Sequence, residues 1–227
     1  MINKSEFFKR QIALWGEQTQ ENLATKSILI VGCGGLGSSV AIALGASGIG
    51  MINLVDFDDV SIHNIHRQIA FRIEDENKNK AKVVHKLLES RFDGVCIKSF
   101  DMNFVDFAQS CDQKFDLILD CTDNLPIRKE ISIFASNAKT PWIYASVEEF
   151  HGQVCFFEQA KFESLFMIND RKPAGIACPI VMQIASFEAN MALRFLAGLP
   201  ISKDKLHYLF FDKFGELHLQ KFSLQTD

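Results

Sequence analysis

The sequence predicts an α/β protein: a doubly wound, Rossmann-like sheet with a C-terminal antiparallel extension. Three observations carry that expectation. Short, uncharged, β-branched runs alternate with stretches of helical period as far as residue 145, the pattern of a parallel sheet covered on both faces. A glycine-rich turn stands between the first run and its helix, and an acid closes the second run. Beyond residue 146 the alternation stops, and the last runs read as a hairpin.

Residues 5–24 place Phe7, Phe8, Ile12, Leu14, Trp15 and Leu23 in a loose helical pattern that breaks near Gly16. Residues 27–31 follow as a buried strand, and the turn Gly32-Cys33-Gly34-Gly35-Leu36-Gly37 leads into a helix over 38–47 that ends at Gly48. Residues 51–55 form the second strand, closed by Asp56. Ala81, Val83, Val84, Leu87 and Leu88 mark a helix over 78–91. Strands are expected at 95–100, 115–119 and 142–145, with a helix at 127–138 before the last of them. Residues 153–157 read as a strand antiparallel to the rest, and 158–177 as irregular, with turn chemistry at Lys172-Pro173-Ala174-Gly175. Pro179 suits the first turn of a helix that runs to residue 196 and is capped by Gly198. Residues 208–212 and 217–222 close the chain as a hairpin. No repeat, low-complexity tract or linker interrupts this order. One domain over 1–227 is expected: a helical segment at 1–25, a nucleotide-binding core at 26–146, and a crossing loop and C-terminal part at 147–227.

With 48% apolar and 23% charged residues, the chain has the composition of a globular protein. Its net charge of −4 and the lack of a long basic block argue against nucleic acid as a partner. No run of eighteen apolar residues is present to span a membrane. The opening MINKSEFFKRQ is too polar for a signal peptide, so a cytoplasmic protein is expected. The six cysteines contain no C-x-x-C pair, which predicts free thiols and no zinc site. Phenylalanine accounts for 21 of the aromatic residues, against two Trp and two Tyr, and points to a Phe-filled core or a buried partner interface.

Gly32, Gly34 and Gly37 satisfy G-x-G-x-x-G between a strand and a helix, where backbone N–H groups and the helix N-terminus can approach a phosphate. Asp56 stands at the tip of the next strand, positioned for ribose hydroxyls. Cys33 reads as a small packing residue. This much fits a nicotinamide enzyme or an ATP enzyme. Asp58, Asn64, Arg67 and Gln68 follow, then Lys80 and, much later, Asp123. Two cations and an acid able to hold a metal suit a triphosphate with Mg²⁺ better than a pyrophosphate. His63, His66 and His85 lack the spacing and acid partner of a metal site.

The motifs in order resemble the ThiF/MoeB/HesA family, bacterial relatives of the adenylation domain of ubiquitin-activating enzymes. They are Arg10-Gln11-Ile12 with Trp15-Gly16, the glycine loop, Asp56-Phe57-Asp58, Asn64-Ile65-His66-Arg67-Gln68, Lys80, Asp120-Cys121-Thr122-Asp123-Asn124, and Gly175-Ile176-Ala177-Cys178-Pro179. The resemblance covers nearly the whole chain. It implies ATP-dependent adenylation of the C-terminal glycine carboxylate of a small ubiquitin-fold sulfur carrier ending in Gly-Gly, of the thiamine or molybdopterin type, with release of pyrophosphate. By position it implies Gly32, Gly34, Gly35, Gly37, Asp56 and Asp58 as nucleotide contacts, with Asp56 on the ribose. Asn64, Arg67 and Lys80 fall on the phosphates, and Asp123 on the magnesium. Lys80 is favoured over its neighbour Lys82 because the family lysine falls there. Arg10 is implied to enter a partner subunit's site across a homodimer two-fold, with Phe7 and Phe8 as apolar surface for the contact. Phe156, Phe157, Phe162 and Phe166 are either core or a docking surface for the carrier.

The family's paired C-x-x-C zinc motifs are missing. A cysteine that some sulfur-handling members carry before the segment matching Gly175 falls near Arg171 here, and Cys178 lies seven residues further on. Sulfur transfer through this chain's own cysteine is therefore not expected. Two alternatives stand beside adenylation: a catalytically weakened partner subunit of the same fold, and an NAD-dependent oxidoreductase.

Overall fold

A computed structural model describes residues 3–162 and 174–226. Eight strands form one sheet in the order β3-β2-β1-β4-β5-β6-β7-β8. Strands β1 (Ser27–Val31), β2 (Met51–Val55), β3 (Cys96–Phe100), β4 (Leu117–Asp120) and β5 (Trp142–Glu148) run parallel. Strands β6 (His151–Phe157), β7 (Lys205–Phe211) and β8 (Leu217–Ser223) extend the sheet antiparallel. The fold class is the one the alternation predicts.

The central strand explains the pattern. On β1, Ile28 and Ile30 enter one core with α4 (Gly35–Gly45), α5 (Lys80–Arg91) and α8 (Cys178–Leu196), whereas Leu29 and Val31 enter the opposite core. That second core holds Phe104 and Phe107 of α6 (Phe104–Ser110) and Ile131 of α7 (Leu125–Ala138). A strand buried on both faces has no polar side to show, so its sequence reads as continuous apolar residues. The chain winds outward from β1 through β2 to β3, then returns to β4 on the other side of β1. The strand order thus reverses between β1 and β4, and the crevice at their C-terminal ends is where ligands bind in such sheets.

Two expectations change. The N-terminal segment is three short helices, α1 (Lys4–Phe7), α2 (Lys9–Trp15) and α3 (Glu17–Leu23), broken at Phe8 and at Gly16, whose φ of +84° suits glycine. Helix α6 lies where the sequence shows only a connection. Asn103 caps it, accepting from the backbone N–H of Asp106 at 3.0 Å. Phe156, Phe157 and Phe162 are all buried; Phe157 stacks on Trp142 with ring centroids 4.6 Å apart, so these three are core and not a docking surface. Phe166, Arg171 and the Lys172-Pro173 turn lie outside the described residues. Among the described residues, no helix is long and apolar enough to cross a membrane.

Candidate active site

The glycine loop turns tightly between β1 and α4. Gly32 adopts φ +86°, and a Cβ there would stand 2.9 Å from the Cys121 carbonyl oxygen. At Gly37 a Cβ would fall 1.8 Å from the Gly32 carbonyl oxygen, inside any permitted contact. These two glycines let the loop close on itself and on the end of β4. Gly34 differs: a Cβ there would meet only the Gln68 side chain, at 3.4 Å. Gly34 is also the N-cap of α4 and supplies no side-chain cap, so the first N–H groups of that helix are left for a ligand.

Asp56, closing β2, braces the loop. Its Oδ2 accepts from the Cys33 N–H at 2.6 Å and its Oδ1 from the Asp58 N–H at 2.8 Å. Burial raises its pKa, and these two N–H bonds and the Lys80 charge oppose that. Lys80 opens α5 behind the cap Asn79 and reaches Asp58 Oδ2 at 2.8 Å with its ammonium nearly enclosed. Asn79 ties the group together, donating to the Asp56 carbonyl at 2.9 Å. Lys82 turns away and pairs with Asp101 at 2.7 Å, largely in solvent. Of the two lysines, only Lys80 joins the acids beside the loop.

Asn64 is buried in a short 3-10 turn over Ile62–Asn64, and its carbonyl accepts from the N–H groups of Arg67 and Gln68 at 3.0 Å. That turn lays Arg67 against Gly35, where a Cβ would stand 3.4 Å from the Arg67 carbonyl oxygen. The guanidinium points outward, on the His63 carbonyl at 3.2 Å and His66 Nε2 at 2.9 Å. Asp123 follows β4, exposed at the mouth of the crevice. Its charge is felt by buried Asp120, whose pKa burial raises. The structure therefore brings Gly32–Gly37, Asp56, Asp58, Asn64, Arg67, Lys80 and Asp123 to the switch point.

Arg10 is not among them. It lies exposed on α2, which is held just past the far end of α4: Gln11 of α2 and Gln20 of α3 both donate to the Ser47 carbonyl, at 2.9 and 3.0 Å. Phe8 is buried and Phe7 stacks on Phe92 at 4.7 Å, so Phe8 is filled into its own chain rather than offered to a partner.

Sequence reasoning missed a buried group beneath the crevice: Asp120, Arg128 and Glu188. Asp120 sits in the quoted motif without an assigned role; Arg128 and Glu188 gave no signal, since helix faces do not reveal which charge turns inward. Cys33 and Cys121 are buried thiols whose pKa values burial pushes well up, so neither is a nucleophile. The three histidines share no centre: His63 meets Ser61, His66 meets Arg67, and His85 lies between Ser99 and Glu89. A cavity of about 590 Å³ opens beyond Asn79; of the four cations that line it, Arg72, Lys78 and Lys82 are each paired with an acid.

The model of the ThiF family matches residues 8–226. The chain belongs to the ThiF family. It is 32% identical over 205 residues to the sulfur carrier protein ThiS adenylyltransferase of Escherichia coli K12, covering 86% of this chain and 80% of that one. To the molybdopterin-synthase adenylyltransferase of Salmonella typhimurium it is 30% identical over 209 residues, covering 86% and 84%. The same fold recurs in the crystal structure of E. coli MccB with AMPCPP and MccA, at a TM-score of 0.83, 22% identity, and coverage of 96% of this chain and 72% of that one. The named ThiF-family relatives are adenylyltransferases, and the parallel core with antiparallel C-terminal strands is shared with MccB.

Proposed function

We propose that this chain is an adenylyltransferase that uses ATP to activate the C-terminal glycine carboxylate of a small ubiquitin-fold sulfur carrier ending in Gly-Gly. The observation that carries the reading is the helix N-terminus of α4, free of any side-chain cap, aimed into the switch-point crevice between Asp56 and Asp123. In the reaction a carboxylate oxygen of the carrier bonds to the α-phosphorus. The bond from that phosphorus to the bridging oxygen breaks, and pyrophosphate leaves with the electron pair. The nucleophile is ionised at neutral pH, so no strong base is needed. Positioning and neutralisation of phosphate charge carry the catalysis.

Within this reading Asp56 takes the ribose, with Asp58 beside it holding Lys80. The loop from Gly32 to Gly37, Asn64, Arg67 and Lys80 take the phosphates. Mg²⁺ characteristically binds one or two carboxylates plus phosphate oxygens, and an exposed acid facing an anion-binding loop fits that donor set. Asp123 is the residue to hold it, and the ion would neutralise charge on the departing pyrophosphate. Arg10 acts across a homodimer two-fold. Relatives acting on ThiS and on the molybdopterin synthase system support a carrier of either type. Six free cysteines suit the cytoplasm.

The test is exchange of pyrophosphate into ATP with a Gly-Gly-ending carrier. Wild-type protein should exchange, and Asp123→Ala should lose exchange while binding metal-free ATP as before. Magnesium-dependent turnover near wild type in the variant refutes the assignment of Asp123. No exchange by wild-type protein with thiamine-type or molybdopterin-type carriers favours the weakened partner subunit.

A further inference from the structure

Asp123 makes no hydrogen bond or ion pair to any other described residue, so the aim of its carboxylate is set by the backbone of the turn that carries it. That turn is held from below. Arg128, one turn into α7, is buried, and its Nη2 donates a hydrogen bond to the Thr122 carbonyl and a second, at 3.3 Å, to the Ala145 carbonyl. Its Nη1 reaches Ser146 Oγ at 3.4 Å, its Nε lies 3.5 Å from Asp120 Oδ2, and its plane covers the Tyr144 ring at 4.9 Å. Asp120 completes the clamp: Oδ1 accepts from the Thr122 N–H at 3.0 Å and from Thr122 Oγ1 at 2.7 Å. The residue before Asp123 is thus gripped at its carbonyl, its N–H and its hydroxyl by two buried, opposite charges.

We propose that Arg128, with Asp120, is a positioning residue that aims Asp123 at the metal bound with the nucleotide. A guanidinium suits the task because its planar fork holds the Thr122 and Ala145 carbonyls in fixed directions while its charge pairs with Asp120, whereas an ammonium is a point charge that satisfies fewer of them. A partner behind a metal ligand fixes the ligand's orientation, and losing it characteristically weakens metal binding without removing the ligand. The inference rests on the reading of Asp123 as the metal-holding residue, and the following experiment separates the two.

The full chain is titrated with AMPCPP with and without Mn²⁺, following binding by calorimetry and the bound Mn²⁺ by electron paramagnetic resonance; thermal unfolding is recorded alongside. Wild-type protein should bind AMPCPP more tightly with Mn²⁺, and Asp123→Ala should lose that tightening. Arg128→Lys should weaken Mn²⁺ binding about tenfold and leave metal-free AMPCPP affinity unchanged. Thr122→Val, which loses only the hydroxyl, should weaken it roughly threefold; it decides the matter if Arg128→Lys does not fold. Wild-type Mn²⁺ binding in both of these variants, with Asp123→Ala impaired, overturns the positioning role alone. Undiminished tightening in Asp123→Ala overturns the metal reading instead, and with it the purpose assigned to the clamp.

Discussion

Glu188 stands on α8 with no exposed surface, its carboxyl 3.6 Å from the Cys121 thiol that lies under the glycine loop. Burial pushes its pKa well above the ordinary carboxylate range, and the nearby Asp120 adds to the push. The unfolded chain releases this proton in mild acid while the folded chain keeps it. Between those two pKa values the native state binds more protons, so rising pH favours unfolding. Glu188→Gln keeps the shape and an acceptor toward Cys121 but does not titrate. The melting temperature of the variant minus that of wild type should therefore grow between about pH 5 and pH 8. A difference constant across that range refutes the buried proton. At this scale, Asp56 and Lys80 were readable in the sequence because each stands at a marked place, a strand tip and a helix start. Glu188 and Arg128 were not, because burial of a charge depends on what the rest of the chain brings over it.

The glycine loop was legible as a pattern, but the division of labour among its glycines was not. Only the folded backbone shows that Gly37 is crowded by Gly32 while Gly34 is open toward Gln68. Gly37→Ala should accordingly lose about 3 kcal/mol or more of stability, or fail to accumulate as folded protein. Gly34→Ala should melt within roughly 3 °C of wild type, a sub-kcal/mol change, yet bind AMPCPP more weakly, since the added methyl occupies the space beside the helix N-terminus. Equal melting and equal AMPCPP affinity in the two variants contradicts the division. The parallel strands were readable because burial on both faces leaves them purely apolar. Helix α6 was missed because seven residues are too few to show a period, although the Asn103 cap was there to be seen. Phe156, Phe157 and Phe162 posed the converse difficulty: an apolar run looks alike on a partner surface and in a core, and the sheet decided for the core at these three.

At the scale of the whole molecule the site draws on segments far apart in sequence, from residue 32 to residue 123, and the sheet reversal between β1 and β4 is what joins them. Arg10 is the exception. From Gly35 to Gly45 helix α4 climbs about 15 Å at the helical rise, and α2 is anchored just beyond its far end, at Ser47. An arginine side chain reaches well short of that, so Arg10 serves another chain's crevice or none. In the proposed two-fold dimer the loan would be reciprocal, each crevice borrowing one arginine. Its planar, permanently charged fork suits phosphate oxygens arriving from outside the chain that binds them. Arg10→Ala and Asp123→Ala homodimers should each be nearly inactive in adenylate formation. Co-expressed, they pair at random, so about half the dimers are mixed, and each mixed dimer has one crevice with Asp123 that receives an intact Arg10 from its neighbour. Roughly a quarter of wild-type activity should return. Arg10 acting on its own chain would leave both crevices of the mixed dimer defective, one for each lesion. Mixed dimers verified by mass and still inactive would therefore end the trans-acting role, and a chain that stays monomeric at assay concentration would end it sooner.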